Sequence, residues 1–271
     1  VYITFRVLDF ADMTVEGSFP LGAAICVYFL IRDHHPLLAL LAAGLLGGVA
    51  GIVTGLLHTK LRIPSLLAGI LSMIALYSVN LRIMGKANVS LLGKETAFTY
   101  METLGLDYAQ SVFIVGLLAT VVIGTLIYWF FGTEIGAAIR ATGFNPQMIR
   151  AQGIDTNVML LLGLFLSNAL TAMAGAFIGM NNGFFDVGMG VGTIVIGLAS
   201  VIIGEVLFGT RSFKNSLVSV ILGSIVYRFV IAIVLQMGMP PNDLKLFTSV
   251  LVVIALALPM MRDKVQRRKV G

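Results

Sequence analysis

Leu37-Leu-Ala-Leu-Leu-Ala-Ala-Gly-Leu-Leu-Gly-Gly-Val-Ala-Gly-Ile-Val-Thr-Gly-Leu-Leu57 runs for 21 residues without a charge. As a helix it would be about 31 Å long, close to the ~30 Å hydrocarbon core of a bilayer. Gly44, Gly48, Gly51 and Gly55 fall at i, i+4, i+7 and i+11, on one face. Small residues in that pattern let a neighbouring helix approach to backbone distance. The stretch reads as a packed transmembrane helix.

Working outward, seven further stretches have the same character: Thr14–Ile31, Pro64–Leu81, Ser111–Phe131, Val158–Met180, Val191–Phe208, Leu217–Met237 and Leu246–Met261. Val1–Leu8 reads as the end of a ninth span, truncated at the N-terminus. The expected fold is therefore all-α, a polytopic transmembrane bundle of about 8–10 spans, with residues 1–271 as a single domain. Composition agrees: 58% of the 271 residues are hydrophobic and 11% charged, where a soluble domain carries about 25% charged residues. The single cysteine, Cys26, excludes an internal disulfide and a multi-cysteine metal site. The net charge of +5 comes from cations scattered between apolar spans, a membrane-topology pattern and not a nucleic-acid surface.

Lys and Arg accumulate in cytoplasmic connections. One set of alternate connections holds Lys60, Arg62, Arg140, Arg150, Arg211, Lys214, Arg262, Lys264, Arg267, Arg268 and Lys269; the other holds Arg32, Arg82, Lys86, Lys94 and Lys245. Eleven against five places the C-terminus and the loop 132–157 in the cytoplasm. The segment Lys86–Gln110 then lies outside, either as a solvated loop or as a dock for an external partner.

The loop 132–157 is too long for a simple connection and too well punctuated for disorder. Glu134–Thr142 has helical composition, with Gly143 as a left-handed cap. Asn145 suits an N-cap and Pro146 a first helical position, and Gly153 ends the two turns between. Phe144, Met148 and Ile149 are the expected apolar projections, Arg140 and Arg150 the charged ones. Such a helix can seat in a groove of a soluble protein or lie on lipid headgroups.

The pattern Gly136-x2-Ile139-Arg140-Ala141-x-Gly143-x-Asn145-x4-Arg150-x2-Gly153-Ile154, followed by a span ending Ala172-Met-Ala-Gly-Ala-Phe177, resembles the coupling region of the ribose and branched-chain amino acid permease family. The similarity continues through Ile196-Gly197-x5-Ile202-Ile203-Gly204 into Gly209-Thr-Arg-Ser-Phe-Lys214, and Leu8–Gly17 is similar to the family's first Asp/Asn-Phe-Ala-x-Gly region. The resemblance implies a dimeric permease of an ATP-binding-cassette importer in a bacterial cytoplasmic membrane. Its coupling helix, here about Asn145–Gly153, would sit in a cleft of each ATPase subunit. Arg140, Gly143, Asn145, Pro146, Met148, Ile149, Arg150 and Gly153 are the coupling residues it implies. The chain itself lacks a phosphate-cradling Gly-x4-Gly-Lys-Ser/Thr loop. No cofactor and no catalytic residue is therefore expected on it, and ATP belongs to the partner subunit.

Two stretches, Asp9–Gly22 and Asn181–Gly192, mix acids, glycines and apolar residues ahead of an apolar helix, in corresponding parts of the two halves. That is the mark of an internal repeat with discontinuous helices beside a solute path, and Pro20 removes a helix hydrogen bond in the first. Asp12, Glu16, Asn80, Asn168, Asn182 and Asp186 are the candidate path residues, because intramembrane polar groups are expensive; lying at interfaces is the plainer reading of the acids. Asn168 suits a helix–helix hydrogen bond better than a solute contact. Arg228 is halfway along its span and needs an acid, a carbonyl or a snorkelling route. Gly188-x-Gly190-x-Gly192 lacks the preceding strand of a dinucleotide fingerprint. His34 and His35 suit an exposed turn and no metal site.

The implied mechanism is alternating access, with a solute-loaded external binding protein or lipoprotein docking outside and two ATPases driving the cycle inside. A homodimer is expected. Within the family the chain is most similar to an amino-acid branch, aromatic amino acids included; a ribose-like sugar and an ion-gradient-driven transporter are the alternatives.

Overall fold

The computed structural model describes residues 1–91, 93–102, 105–238, 240, 243 and 246–253. It opens with a π-helical turn, Ile3–Val7, and continues through α1 (Val15–Ile31), α2 (Pro36–Thr59), α3 (Ser65–Met84), β1 (Asn88–Ser90), α4 (Thr99–Glu102), α5 (Tyr108–Gly132), α6 (Glu134–Phe144), α7 (Pro146–Ala151), α8 (Thr156–Asn182), β2 (Phe184–Asp186), α9 (Thr193–Phe208) and α10 (Phe213–Gln236). The fold is all-α apart from one small antiparallel pair, in which Asn88 faces Asp186 and Ser90 faces Phe184. Among the described residues α2, α3, α5, α8 and α10 are long and apolar enough to cross a membrane. Of the last expected span, Leu246–Met261, residues 246–253 are helical; the rest, the cationic tail and Lys245 lie outside the described residues.

α1 and α9 are apolar but shorter, 17 and 16 residues, which gives each about 25 Å of helix. α9 follows the second stretch expected to be irregular, whereas α1 begins inside the first: only residues 8–14 are non-helical, and residues 15–22 are helix with Pro20 inside it. Val1–Leu8, expected as the end of a span, holds the π-helical turn, closed by Leu8 N–H donating to Ile3 O at 3.0 Å.

The chain divides into two compact units, one of Val1 with Ile3–Thr193, the other of Tyr2 with the chain from Ile194 onward. In the first, α1, α2 and α8 pack backbone to backbone. Alanine side chains and glycines line the contact: Ala23, Ala24, Ala39, Ala43, Ala172 and Ala176 are all fully buried. A Cβ on Gly22 would overlap the Ala172 carbonyl, and the α2 glycine face meets α8 as its spacing predicts, Gly44 on Met173, Gly48 on Phe165 and Gly51 on the Leu164 carbonyl. In lipid no hydrophobic force draws apolar helices together, so this close contact supplies van der Waals energy in its place. In the second unit Gly204 of α9 and Gly223 of α10 play the same part, against Ser219 and Ser200.

Large apolar side chains cover the outside of the helices. Phe113, Leu118 and Trp129 on α5 are more than 60% exposed, as expected of a surface whose solvent is hydrocarbon.

Candidate functional site

A buried polar seam lies where the first irregular stretch meets α2, α3 and α8. Asp12, 2% exposed, turns one carboxylate oxygen to the Thr14 N–H (3.0 Å) and the other to the Asn168 amide NH2 (2.8 Å). The Asn168 carbonyl oxygen in turn accepts from the Ser18 hydroxyl at 2.7 Å. Beside them the hydroxyls of Thr14, Thr54 and Ser72 form a chain, 2.7 Å at each step. A buried carboxylate is tolerated only when it is so satisfied. The interface reading thus fails for Asp12, while Asp9 three residues earlier is exposed. Asn168 makes the helix–helix bond expected of it.

The first turns of α1 touch the second irregular stretch. Pro20 has no N–H for the Glu16 carbonyl, and Gly190 fits against that carbonyl and the Pro20 ring so closely that a Cβ there would overlap them. The Glu16 carboxylate accepts from the Gly192 N–H at 3.0 Å. Asn80, fully buried on α3, donates to the Gly17 carbonyl at 3.1 Å, and its own carbonyl oxygen has no partner among the described residues. Non-helical backbone at membrane depth requires such internal satisfaction.

Four of the six candidate path residues therefore gather around the start of α1. Asn182 and Asp186 do not: Asn182 is exposed at the end of α8, and Asp186 lies in β2, accepting from the Asn88 amide (3.2 Å) and the Gly188 N–H (2.7 Å). A strand does precede Gly188, contrary to the sequence expectation. It is three residues long and antiparallel to β1, so no βαβ dinucleotide unit is formed. In the connection between α3 and α5, Lys94 pairs with Asp33 at 2.7 Å. The Glu95 carboxylate beside Tyr100 raises that phenol above its ordinary value. His35 caps α2 through Nδ1 to the Leu37 N–H, an exposed turn as expected. Arg228 is exposed midway along α10, in a cavity of about 420 Å3 with Ser224, Ile225, Phe229 and Ala232.

At the other end of the first unit stand α6 and α7. Asn145 caps α7, its side chain accepting from Met148 N–H at 3.1 Å, and Pro146 opens the helix. Gly153 takes φ +84° after the last turn. Two expectations need correction. Gly143 is not a left-handed cap, for α6 continues through it to Phe144. Its lack of a side chain serves a different end, contact with the Val7 carbonyl, which any Cβ would overlap. Ile149 does not project: it is 3% exposed and, with the fully buried Ile139, anchors the pair to the bundle. Phe144, 93% exposed, and Met148, 46% exposed, are the apolar projections that remain. Arg150 is exposed, its guanidinium Nε donating to Thr156 at 2.8 Å, and Arg140 is half-buried.

Sequence reasoning missed Thr14, Ser18, Thr54 and Ser72, whose hydroxyls look unremarkable inside apolar helices. It also missed Leu8 and Gly163, which pack on each other. Thr54 carried one signal, its place three residues after Gly51 on the packed face of α2.

Apolar helices of bilayer length, two shorter ones and a buried, satisfied carboxylate just ahead of α1 describe a polytopic membrane protein. The chain belongs to the family described as branched-chain amino acid transport system, permease component, which matches residues 1–257. It is 40% identical over 257 residues to the tyrosine transport system permease protein of Clostridioides difficile, covering 95% of this chain and 84% of that one. Identity is 31% over 268 residues to an uncharacterised protein of Rickettsia prowazekii (97% and 92% covered). It is 25% over 269 residues to the fructose import permease protein of Rhizobium meliloti (94% and 71% covered). No solved structure matches. The chain is the permease component of an ATP-binding-cassette transport system for a small solute.

Proposed function

We propose that this permease imports an amino acid of the tyrosine type, handed over by an external binding protein, and that α6 and α7 seat the ATPase subunits in the cytoplasm. The observation that carries the reading is Phe144. A phenylalanine 93% exposed at the turn of two helices, themselves anchored by Ile139 and Ile149, is an anchor awaiting a groove. Burying such a side chain yields about 1.5–3 kcal/mol. Met148 stands beside it with an adaptable side chain suited to a protein surface, and Arg150 supplies a rim. The substrate class rests on the 40% identity to a tyrosine permease. Two copies of the permease would face two ATPases, and the path would open outward and then inward as the ATPases close and separate.

The test is Phe144→Asp in the full transporter, reconstituted with its ATPase and binding protein. ATPase co-purification and tyrosine uptake are expected to fall more than tenfold while the melting temperature of the permease alone is unchanged. Intact ATPase binding in the variant would reject the coupling site. Uptake of fructose in preference to tyrosine would reject the substrate. Tyrosine uptake driven by an ion gradient without ATP would reject the importer reading.

A further inference from the structure

The two ends of the site are joined by one short segment. Val7 and Leu8 are buried beneath α6 and α8: the Val7 carbonyl lies against Gly143, and the Leu8 side chain lies over Gly163, where a Cβ would come within 2.5 Å of Cδ1 and 3.1 Å of Cγ. The turn before them is π-helical, Leu8 N–H donating to Ile3 O and Phe10 N–H to Thr4 O (3.0 and 2.9 Å). A π-turn is a less stable packing than the α-helix and recurs at functional sites. Asp9 then takes the left-handed conformation, φ +52°, uncommon for a residue other than glycine. Phe10 is 3% exposed, edge-on to His58 at 5.3 Å. Two residues later Asp12 enters the polar seam with Asn168 and Thr14.

Four residues thus lie between the backbone contact under α6 and the carboxylate that fixes the start of α1. We propose that residues 3–12 are the link that carries movement of the α6–α7 pair to the start of α1, with Gly143 and Gly163 as the positioning residues that seat it and Asp9 as its hinge. The inference rests on the reading of α6–α7 as the ATPase seat. Gly143 and Gly163 act through Val7 and Leu8 and touch no solute. A shift of α6 displaces the Val7 carbonyl directly, since no side chain stands between them to absorb it. The left-handed Asp9 turns that displacement into a swing of Phe10–Asp12 against α8.

The test is a reversible lock. In Leu8→Cys/Gly163→Cys the first substitution removes the two methyl carbons that the second would strike and puts a sulfur where Leu8 Cγ stands, the atom within 3.1 Å of a Gly163 Cβ, so the two thiols are placed to close a disulfide. Cys26 is fully buried and does not compete. The full transporter is reconstituted with ATPase and binding protein, and tyrosine uptake and ATP hydrolysis are measured with the pair reduced and oxidised. Uptake by the reduced pair is the baseline. Oxidised, it is expected to fall at least tenfold with the ATPase still bound, and to return on reduction. Full uptake with the disulfide verified closed would overturn the link. Asp9→Gly is the second variant, measured even if the pair does not fold: slackening the hinge is expected to lower uptake per ATP about fivefold without loss of assembly, and an unchanged ratio counts against the link equally. Wild-type permease that binds no ATPase would instead sink the proposed function, so the two failures are separable.

Discussion

Asp12 is held by the Thr14 N–H on one oxygen and the Asn168 amide on the other. An asparagine in its place offers one acceptor oxygen to two donors, so one donor is left facing an NH2 group. Leaving a buried donor unsatisfied costs about 1–3 kcal/mol. Asp12→Asn is accordingly expected to lower the melting temperature of the detergent-solubilised permease by that stability; an unshifted melt would mean that the seam holds nothing together. Asn168 was legible in the sequence as a polar residue at membrane depth, and Asp12 as a candidate path acid whose plainer reading was an interface. Their partnership was not, because it joins residues 156 apart in the chain and no local pattern encodes it. The hydroxyls of Ser18, Thr54 and Ser72 were hidden for a related reason. Serine and threonine inside a helix can bond their own backbone, as Thr54 also does to Ala50, so their presence alone implies no partner.

The helices themselves follow closely from apolar length, since lipid leaves the backbone no choice but to bond internally. Each of the eight expected stretches holds a helix, with described bounds that differ from the expected ones by a few residues. What apolar length does not report is how near two helices come. Gly22 sits so close to the Ala172 carbonyl that Gly22→Ala must push α1 from α8. Overpacking of that kind costs about 1–3 kcal/mol, and a loss of monodisperse protein on size exclusion is the expected sign. Gly116 on α5 makes the opposite case. A Cβ there meets nothing, so Gly116→Ala is expected to raise stability by about 0.5–1 kcal/mol through helix propensity. Equal effects of the two substitutions would refute the packing account. Gly143 illustrates the ambiguity in the sequence: a glycine near a helix end signals either positive φ or a close neighbour, and only the neighbour, Val7, tells them apart.

For the molecule as a whole, the proposed sidedness rests on the distribution of Lys and Arg, much of it in the tail. It can be checked with an impermeant maleimide, because the buried Cys26 is silent. Asn88→Cys is expected to label in intact cells and Gln147→Cys only after permeabilisation; the reverse pattern would turn the molecule over in the membrane. The family and its amino-acid branch were legible from sequence motifs, whereas the residues of the seam carry no sign of the exact solute, since they are occupied with one another. That mutual occupation bears on how the chain is made. With 156 residues between Asp12 and Asn168, and synthesis at about 5–20 residues per second, Asp12 emerges roughly 8–30 s before its partner exists. α1 must wait through that interval with one oxygen of Asp12 still lacking its amide partner, so the order of assembly is set by translation, and α8 is the element that completes the seam.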